Sequence, residues 1–284
     1  MVEGSGPGSL FVVSTPIGNM GDFSFRAVET LRRVAVVLAE DTRHSRPLLD
    51  HHDVRTPLLA YHEHNEARMT PQVVERIAGG EDVALISDAG TPLLSDPGAR
   101  LVRAVAARGL RVVPVPGASA LLAALVASGM DAERFTYYGF LERKGRARGE
   151  AVAELAALRH TAILYEAPSR VADTLAELAA AGAGARPAAV ARELTKRYEE
   201  VRRGTVAELA AYYGDTPPRG EVVIVIEGGS DTPPSEDALR ARARALRDEG
   251  MSAREVAKAL GAAGAARNLA YKLAHEGRDL EGGE

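Results

Sequence analysis

Between Val83 and Gly98 the chain reads V-A-L-I-S-D-A-G-T-P-L-L-S-D-P-G, and no other stretch constrains the fold as much. Val83 to Ile86 is a short apolar run without polar alternation, the pattern of a strand buried on both faces of a parallel sheet. Asp88 to Ser95 then gathers Gly, Pro and small polar residues into a turn-prone loop. Asp96 is placed to cap the next helix with Pro97 at its first position, and Gly109 is a natural stop after Leu101, Val102 and Val105. Strand, glycine loop and helix make half of a βαβ unit, and in open α/β sheets ligands bind beyond the carboxyl ends of strands. This loop lies at such an end. Gly90 lets a ligand approach the backbone, and Asp88 and Thr91 offer an acceptor and a hydroxyl. A plain βα turn uses the same residues.

The rest of the chain extends the alternation. Residues 1–9 are small and polar, without the basic region and apolar core of a signal peptide, and read as a disordered tail. Leu10 to Ser14 is a first buried strand, followed by the loop T-P-I-G-N. A helix over Ser24 to Arg33 and a strand over Val34 to Glu40 come next, then E-D-T-R at that strand's carboxyl end. A short strand over Thr56 to Tyr61, a helix ending near Ala78 and a strand over Arg111 to Val115 complete an N-terminal α/β domain, 10–116, with an open parallel sheet. Pro114, Pro116 and Gly117 mark its boundary. Ala118 to Ser128 is apolar nearly all round and is expected to be buried between layers. A second α/β domain, 117–229, carries strands near 134–140, 161–166, 188–193, 198–203 and 221–227. The later ones follow closely enough for antiparallel pairing, so a mixed sheet is expected. A Gly/Ser/Pro linker ends at Pro234. A helical C-terminal domain, 235–278, has a capping-box pattern at Ser252 and Glu255. Its two short helices about a glycine turn read either as a helix-turn-helix-like module or as a cap packing on the body or a second subunit.

Composition removes several function classes. The 284 residues suffice for two domains with real cores. With no cysteine, disulfides, thiolate metal sites and cysteine nucleophiles are excluded. No apolar run approaches a membrane span, so a cytoplasmic protein is expected. A net charge of −4 argues against a general cationic coat, and any RNA contact needs local basic patches. No G-x-G-x-x-G follows the first strand and no P-loop is present, which disfavours dinucleotide oxidoreductases and P-loop NTPases. His62 and His64 lack further ligands at a recognisable spacing, so no metal site is assigned. What does collect at strand ends is Ile17-Gly18, Asp88 to Leu94, Gly117 to Ala120 and Tyr165-Glu166. That set of backbone, small and apolar groups suits a nucleoside-like ligand.

The motifs S-T-P-I-G-N (14–19), A-E-D-T-R (39–43), Y-H-E-H-N-E (61–66), S-D-A-G-T-P-L-L-S-D-P-G (87–98), P-V-P-G-A-S-A (114–120), L-Y-E-A-P-S-R (164–170), A-R-E-L-T-K (191–196) and G-E-V-V-I-V-I-E-G (220–228) occur in this order. Together they closely resemble the tetrapyrrole methylase superfamily, and within it the ribose methyltransferases of small-subunit ribosomal RNA. The resemblance implies a two-domain α/β architecture (class III methyltransferase) with a small helical C-terminal domain, usually as a homodimer. It implies S-adenosylmethionine as cofactor and the ribose 2′-hydroxyl of a cytidine in the decoding region of 16S rRNA as acceptor. By motif, Ile17 and Gly18 close over the cofactor, Gly90, Thr91 and Leu94 meet its methionine part, and Ser119 and Ala120 lie against it. Tyr165, Leu194 and Ile226 would enclose adenine. Ser169 stands where the family often has His, so no base is expected there.

Methyl transfer to a hydroxyl needs an acceptor for the proton. Asp88 is the first candidate by position. Lys196 serves if its pKa is depressed, and otherwise holds a phosphate or an ion pair. RNA contact falls to basic islands: Arg143, Lys144, Arg146 and Arg148; Arg202 and Arg203; and Arg240, Arg242, Arg244 and Arg247. Arg43 either pairs with Asp41 or contacts RNA. Two other readings stay open, a methyltransferase of the same architecture acting on a tetrapyrrole and a non-enzymatic RNA-binding assembly factor.

Overall fold

The computed structural model describes residues 6–229, 236–248, 250–262 and 265–276. In its first half, strands β1 (Ser9–Val13), β2 (Val36–Ala39), β3 (Leu58–Ala60), β4 (Val83–Ile86) and β5 (Arg111–Val115) alternate with helices α1 (Phe25–Arg33), α2 (Thr42–His51), α3 (Glu66–Ala78) and α4 (Ala99–Ala107). The strands pair in the order β3-β2-β4-β1-β5, every pair parallel. Val37, Ala39, Ala84 and Ile86 pack with Leu31 and Leu49 from α1 and α2. Val36, Leu38, Val83 and Leu85 meet Val73, Ile77, Leu101 and Val105 from α3 and α4. Successive strand side chains point to opposite faces, so strands covered by helices on both sides have no position for a polar residue. Gly8 and Ser9, expected in the disordered tail, belong to the fold: both are buried, Gly8 N–H donates to the Ile77 carbonyl at 2.8 Å, and Ser9 opens β1. Residues 1–5 lie outside the described residues.

The second half contains α5 (Ala120–Ser128), β6 (Phe135–Phe140), α6 (Arg146–Ala157), β7 (Thr161–Glu166), α7 (Val171–Leu178), β8 (Pro187–Arg192), β9 (Glu200–Thr205), α8 (Val206–Asp215) and β10 (Val222–Ile226). Its sheet runs β6-β7-β10-β8-β9, with β6–β7 parallel and the other pairs antiparallel, a mixed sheet as expected. One face, with Leu164, Val190, Ile224 and Ile226, is covered by Leu155, Leu175 and Leu209 of α6, α7 and α8. The other, with Ile163, Ala191, Val223 and Val225, packs on Leu121 and Leu125 of α5 and on Ile17 from the first half. α5 departs from its expected burial on all sides. It buries one face and leaves Leu122 and Val126 exposed, the latter at 81%.

The tail helices α9 (Glu236–Asp248), α10 (Ala253–Ala262) and α11 (Arg267–His275) close a small core of their own around Leu239, Ala243, Val256, Leu260 and Leu273. The expected capping box is present, with Ser252 N–H donating to Glu255 Oε2 at 2.9 Å and Glu255 N–H to Ser252 Oγ at 3.4 Å. The linker residues 230–234 lie outside the described residues. No helix among the described residues is long and apolar enough to cross a membrane.

Candidate functional site

The carboxyl ends of β1, β4, β5, β6 and β7 meet at one cavity of about 300 Å³. Short side chains stitch its walls together. Thr15 N–H donates to the Gly90 carbonyl at 2.8 Å and Gly90 N–H returns to Thr15 at 3.1 Å. The Ser14 hydroxyl meets Thr91 Oγ1 at 3.0 Å, and Thr91 donates to the Ala118 carbonyl at 3.1 Å. The loops after β1, β4 and β5 are thereby locked to one another. At Gly90 the backbone is left-handed (φ 81°), and a Cβ there would stand 3.2 Å from Ile17 Cγ2. Any other residue would be strained and crowded at once. Leu93 (φ 75°) and Ser95 (φ 68°) are left-handed without being glycine. Ser95 is held by a 2.7 Å hydrogen bond to the Tyr137 hydroxyl.

The ionisable side chains lining this cavity divide by whether they are compensated. Glu166 is buried and fully engaged: Thr174 Oγ1 donates to it at 2.6 Å, Ala167 N–H at 2.9 Å, and Arg170 Nε lies 3.3 Å away. Glu221 is paired with Lys196 Nζ at 3.0 Å. Burial pushes the Tyr165 phenol up, beside the rings of Tyr137 and Phe140. Asp96 makes no ion pair among the described residues. Burial, then the nearby Glu40 and Asp88 carboxyls, push it up to about 7 against a hydrogen bond from Ser87. The Ser119 hydroxyl oxygen is also buried without a hydrogen-bond partner among the described residues. Ile17, Leu94, Phe140 and Val222 supply apolar wall. A cavity with an uncompensated carboxyl, an orphaned hydroxyl and aromatic walls is chemically incomplete. A ligand with a cationic end and a flat apolar body completes it.

Residues 9–210 match the family model described as Tetrapyrrole (Corrin/Porphyrin) Methylases. The chain belongs to the tetrapyrrole methylase family. A Pseudomonas aeruginosa protein named ribosomal RNA small subunit methyltransferase I is 45% identical over 94% of this methylase and 96% of its own length. A Synechocystis protein of the same name is 44% identical over 89% of this chain and 92% of its own. Such relatives place the methylase in the ribosomal RNA small subunit methyltransferase I group. Among solved structures, a diphthine synthase superposes with TM-score 0.63 at 14% identity, covering 82% of this chain and 95% of its own. A Thermus thermophilus uroporphyrin-III C-methyltransferase, complexed with S-adenosyl homocysteine, superposes with TM-score 0.55 at 18% identity over 78% of this chain and 97% of its own.

Of the residues the sequence marks for the cofactor, Ile17, Gly90, Thr91, Leu94, Ser119, Ala120 and Tyr165 line the methylase's cavity. Gly18 lines an adjoining groove of about 440 Å³ together with Asp88 and Lys196. Leu194 sits behind the wall in the apolar layer with Ile17 and Leu121. Ile226 is misplaced by the sequence reading. β10 begins at the cavity with Val222 and runs away from it, so Ile226 ends about 13 Å further on, in the layer under α6 to α8. Val222 takes the position expected of it.

Of the alternatives open for Lys196, the structure shows the ion pair. Its Nζ lies 3.0 Å from both Glu193 and Glu221. Burial draws its pKa down, but the two carboxylates outweigh it and the net shift is upward, the wrong direction for a base. Asp88 accepts the Asp41 N–H at 3.1 Å. Asp96 is not the helix cap: α4 starts at Ala99, after Gly98 (φ 122°), where a Cβ would stand 2.5 Å from Leu85. That close turn leaves the Asp96 carboxyl on the cavity wall. Glu166 lines it as the strand-end set implied, and Phe140 lines it without having been singled out as a ligand contact.

The basic islands separate as well. Arg143, Lys144 and Arg146 are exposed, Arg146 paired with Glu150 at 2.6 Å. Arg148 is structural, not an RNA contact. Its side chain is 8% exposed and holds Glu177 at 2.8 Å, the Glu142 carbonyl at 3.1 Å and Thr174 at 3.0 Å. Arg43 is 90% exposed and paired with Asp41 at 2.8 Å, its hydrogen bond holding that carboxyl down at about 2. Arg202 and Arg203 lie on β9, in the strand expected near 198–203, the first paired with Glu200 at 3.0 Å, the second donating to the Ser128 carbonyl at 2.9 Å.

Proposed function

We propose that this methylase uses S-adenosylmethionine to methylate the ribose 2′-hydroxyl of a cytidine in the decoding region of 16S rRNA, acting as a homodimer. The observation that carries the reading is the incomplete cavity. Asp96 would hold the cationic methionine end and Ser119 a polar atom, while Gly90 lets the ligand approach the backbone. Leu94, Phe140 and Tyr165 would enclose the adenosyl part. When bound, the cofactor supplies a methyl carbon activated by its sulfonium. The chain's own task is to align the acceptor oxygen, exclude water and receive one proton. Asp88 is the proposed proton acceptor. It lines the groove that shares Ile17, Ala89 and Glu221 with the cavity, where an acceptor ribose has access. Lys196 stays charged and ties Glu193 to Glu221, fixing the wall common to both depressions. Near the site, Arg143 and Lys144 are the open cations for RNA phosphates, and Arg43 and Arg146 would exchange Asp41 and Glu150 for them.

The homodimer reading draws on the open face of α5. Leu122 and Phe135 border an apolar groove of about 520 Å³ near the exposed Val126, a surface suited to burial against a second copy. The ribosomal acceptor draws on the names of the relatives, which match nearly the whole chain at more than 40% identity. A tetrapyrrole acceptor has only the family description and distant fold neighbours behind it.

The test is to incubate purified protein with labelled S-adenosylmethionine and either 30S subunits or a porphyrinogen, then map the modified ribose. Label on the porphyrinogen alone decides for the small-molecule reading. Protein that retains no S-adenosylmethionine supports the non-enzymatic one.

A further inference from the structure

The sequence assigns RNA contact in the tail to the arginines of α9, but the structure takes up two of them internally. Arg240 is bound by Glu236 at 2.7 Å, Asp237 at 3.1 Å and Glu276 at 2.9 Å. Arg247 donates to the carbonyls of Leu273 and Glu276. These bonds fasten α9 to α11. Arg242 and Arg244 are exposed.

The α10–α11 side is different. Lys258, Arg267, Asn268 and Tyr271 border a groove of about 560 Å³ whose remaining lining among the described residues is Ala and Gly, with no carboxylate among them. Neither Lys258 nor Arg267 makes an ion pair among the described residues, and both are exposed. Arg254 stands one helical turn before Lys258, on the same face of α10. Tyr271 is 64% exposed, and His275 backs its ring at 4.2 Å between centroids. Two unpaired cations and an open aromatic ring on a floor of small residues make a platform for a single-stranded polyanion with flat bases.

Length points the same way. The fold neighbours use nearly all of their own chains without covering all of this one, whereas the Pseudomonas aeruginosa relative runs across nearly all of it. The family model itself stops at residue 210. The tail is therefore shared with that relative and lies beyond the stretch that the family model matches.

We propose that the α10–α11 groove binds a single RNA strand of the substrate, with phosphates on Lys258 and Arg267 and a base stacked on Tyr271. The proposal rests on the ribosomal RNA reading above. It is tested on the full-length protein with a 16S rRNA fragment, measuring RNA affinity across a salt series without cofactor. Tyr271→Leu weakens binding about ten-fold, while Tyr271→Phe keeps the ring and wild-type affinity. Lys258→Ala/Arg267→Ala flattens the log–log salt slope by roughly 1.4, about 0.7 for each lost single-strand phosphate contact. S-adenosylmethionine affinity by calorimetry stays at wild type in all three. Unchanged RNA affinity and slope overturn the proposal. So does a changed sedimentation coefficient with RNA affinity intact, which assigns the groove to a second subunit. Failure of wild-type protein to methylate 30S subunits, with the RNA-binding losses still seen, overturns the proposed acceptor and leaves the groove standing.

Discussion

The cavity and the tail groove leave opposite charges open. On the cavity wall Asp96 has no cation among the described residues, and Glu40 and Asp88 close by add to the negative field. In the tail, Lys258 and Arg267 have no anion among the described residues. Much of the remaining charge is closed: Arg148 on Glu177, Arg170 on Glu166, Lys196 between Glu193 and Glu221, Arg240 among three carboxylates. Unpaired charge is therefore more informative than the amount of charge. A small cationic ligand would answer the first region and a polyanion the second, which is how a chain of net charge −4 would accommodate RNA under the proposals above.

The largest effect that would sharpen this contrast is at Asp88. Asp88→Asn keeps an acceptor for the Asp41 N–H and removes the base, so kcat should fall roughly 100-fold to 10,000-fold with RNA affinity unchanged. Single-turnover transfer and filter binding measure the two. Near-wild-type turnover removes Asp88 from the mechanism.

Next is Asp96→Asn, which should weaken S-adenosylmethionine by about 100-fold, the loss of a charge-assisted contact. Its pH behaviour is more specific than its size. A cationic ligand favours the ionised carboxyl, so wild-type affinity should rise with pH through about 7 and then level off, while Asp96→Asn stays flat. Without ligand the sign reverses. The folded chain keeps a proton that the unfolded chain releases at its ordinary 3.8, so this group's contribution to stability is full below 3.8 and lost as pH rises toward about 7. Affinity that is level across this range would break the comparison on the cavity side.

The parts of this design that were legible in the sequence are those where one local rule decides. β2 and β4 are covered by helices on both faces, so their apolar runs announce them. The capping box at Ser252 is a local motif and was found where expected. The failures are places where tertiary contact overrules a local rule. The sequence does not announce α2, because its polar first turn and internal Pro47 hide a helix that Asp41 caps. Asp96 satisfies a capping rule, but Gly98 packed on Leu85 sends the chain another way. Arg148 looks like its exposed neighbours until Glu177 and Thr174 are brought to it from α7. Ile226 and Val222 are alike as residues, and only the direction of β10 says which one meets the cavity.

Gly90→Ala is a smaller perturbation of the cavity. A left-handed Ala costs on the order of 1–2 kcal/mol, and the new Cβ also presses on Ile17 at 3.2 Å. Cofactor affinity should drop about ten-fold, with the melting temperature lowered by a few degrees, since the strain is felt whether or not ligand is present. A melt that falls while affinity holds would make Gly90 a packing residue only.

The smallest expected effect separates closed charge from open charge within the tail itself. Arg240 carries the same charge as Arg267 and lies in the same small bundle, but Glu236, Asp237 and Glu276 surround it. Its hydrogen bond and charge hold the Glu276 carboxyl below the ordinary range. Arg240→Ala should loosen the α9–α11 contact, read as faster amide exchange in α11, and leave the salt slope of RNA binding where it was. Arg267→Ala should do the reverse. If the two variants instead flatten the slope equally, pairing state does not select the RNA-binding cations, and the tail acts on RNA through its total charge.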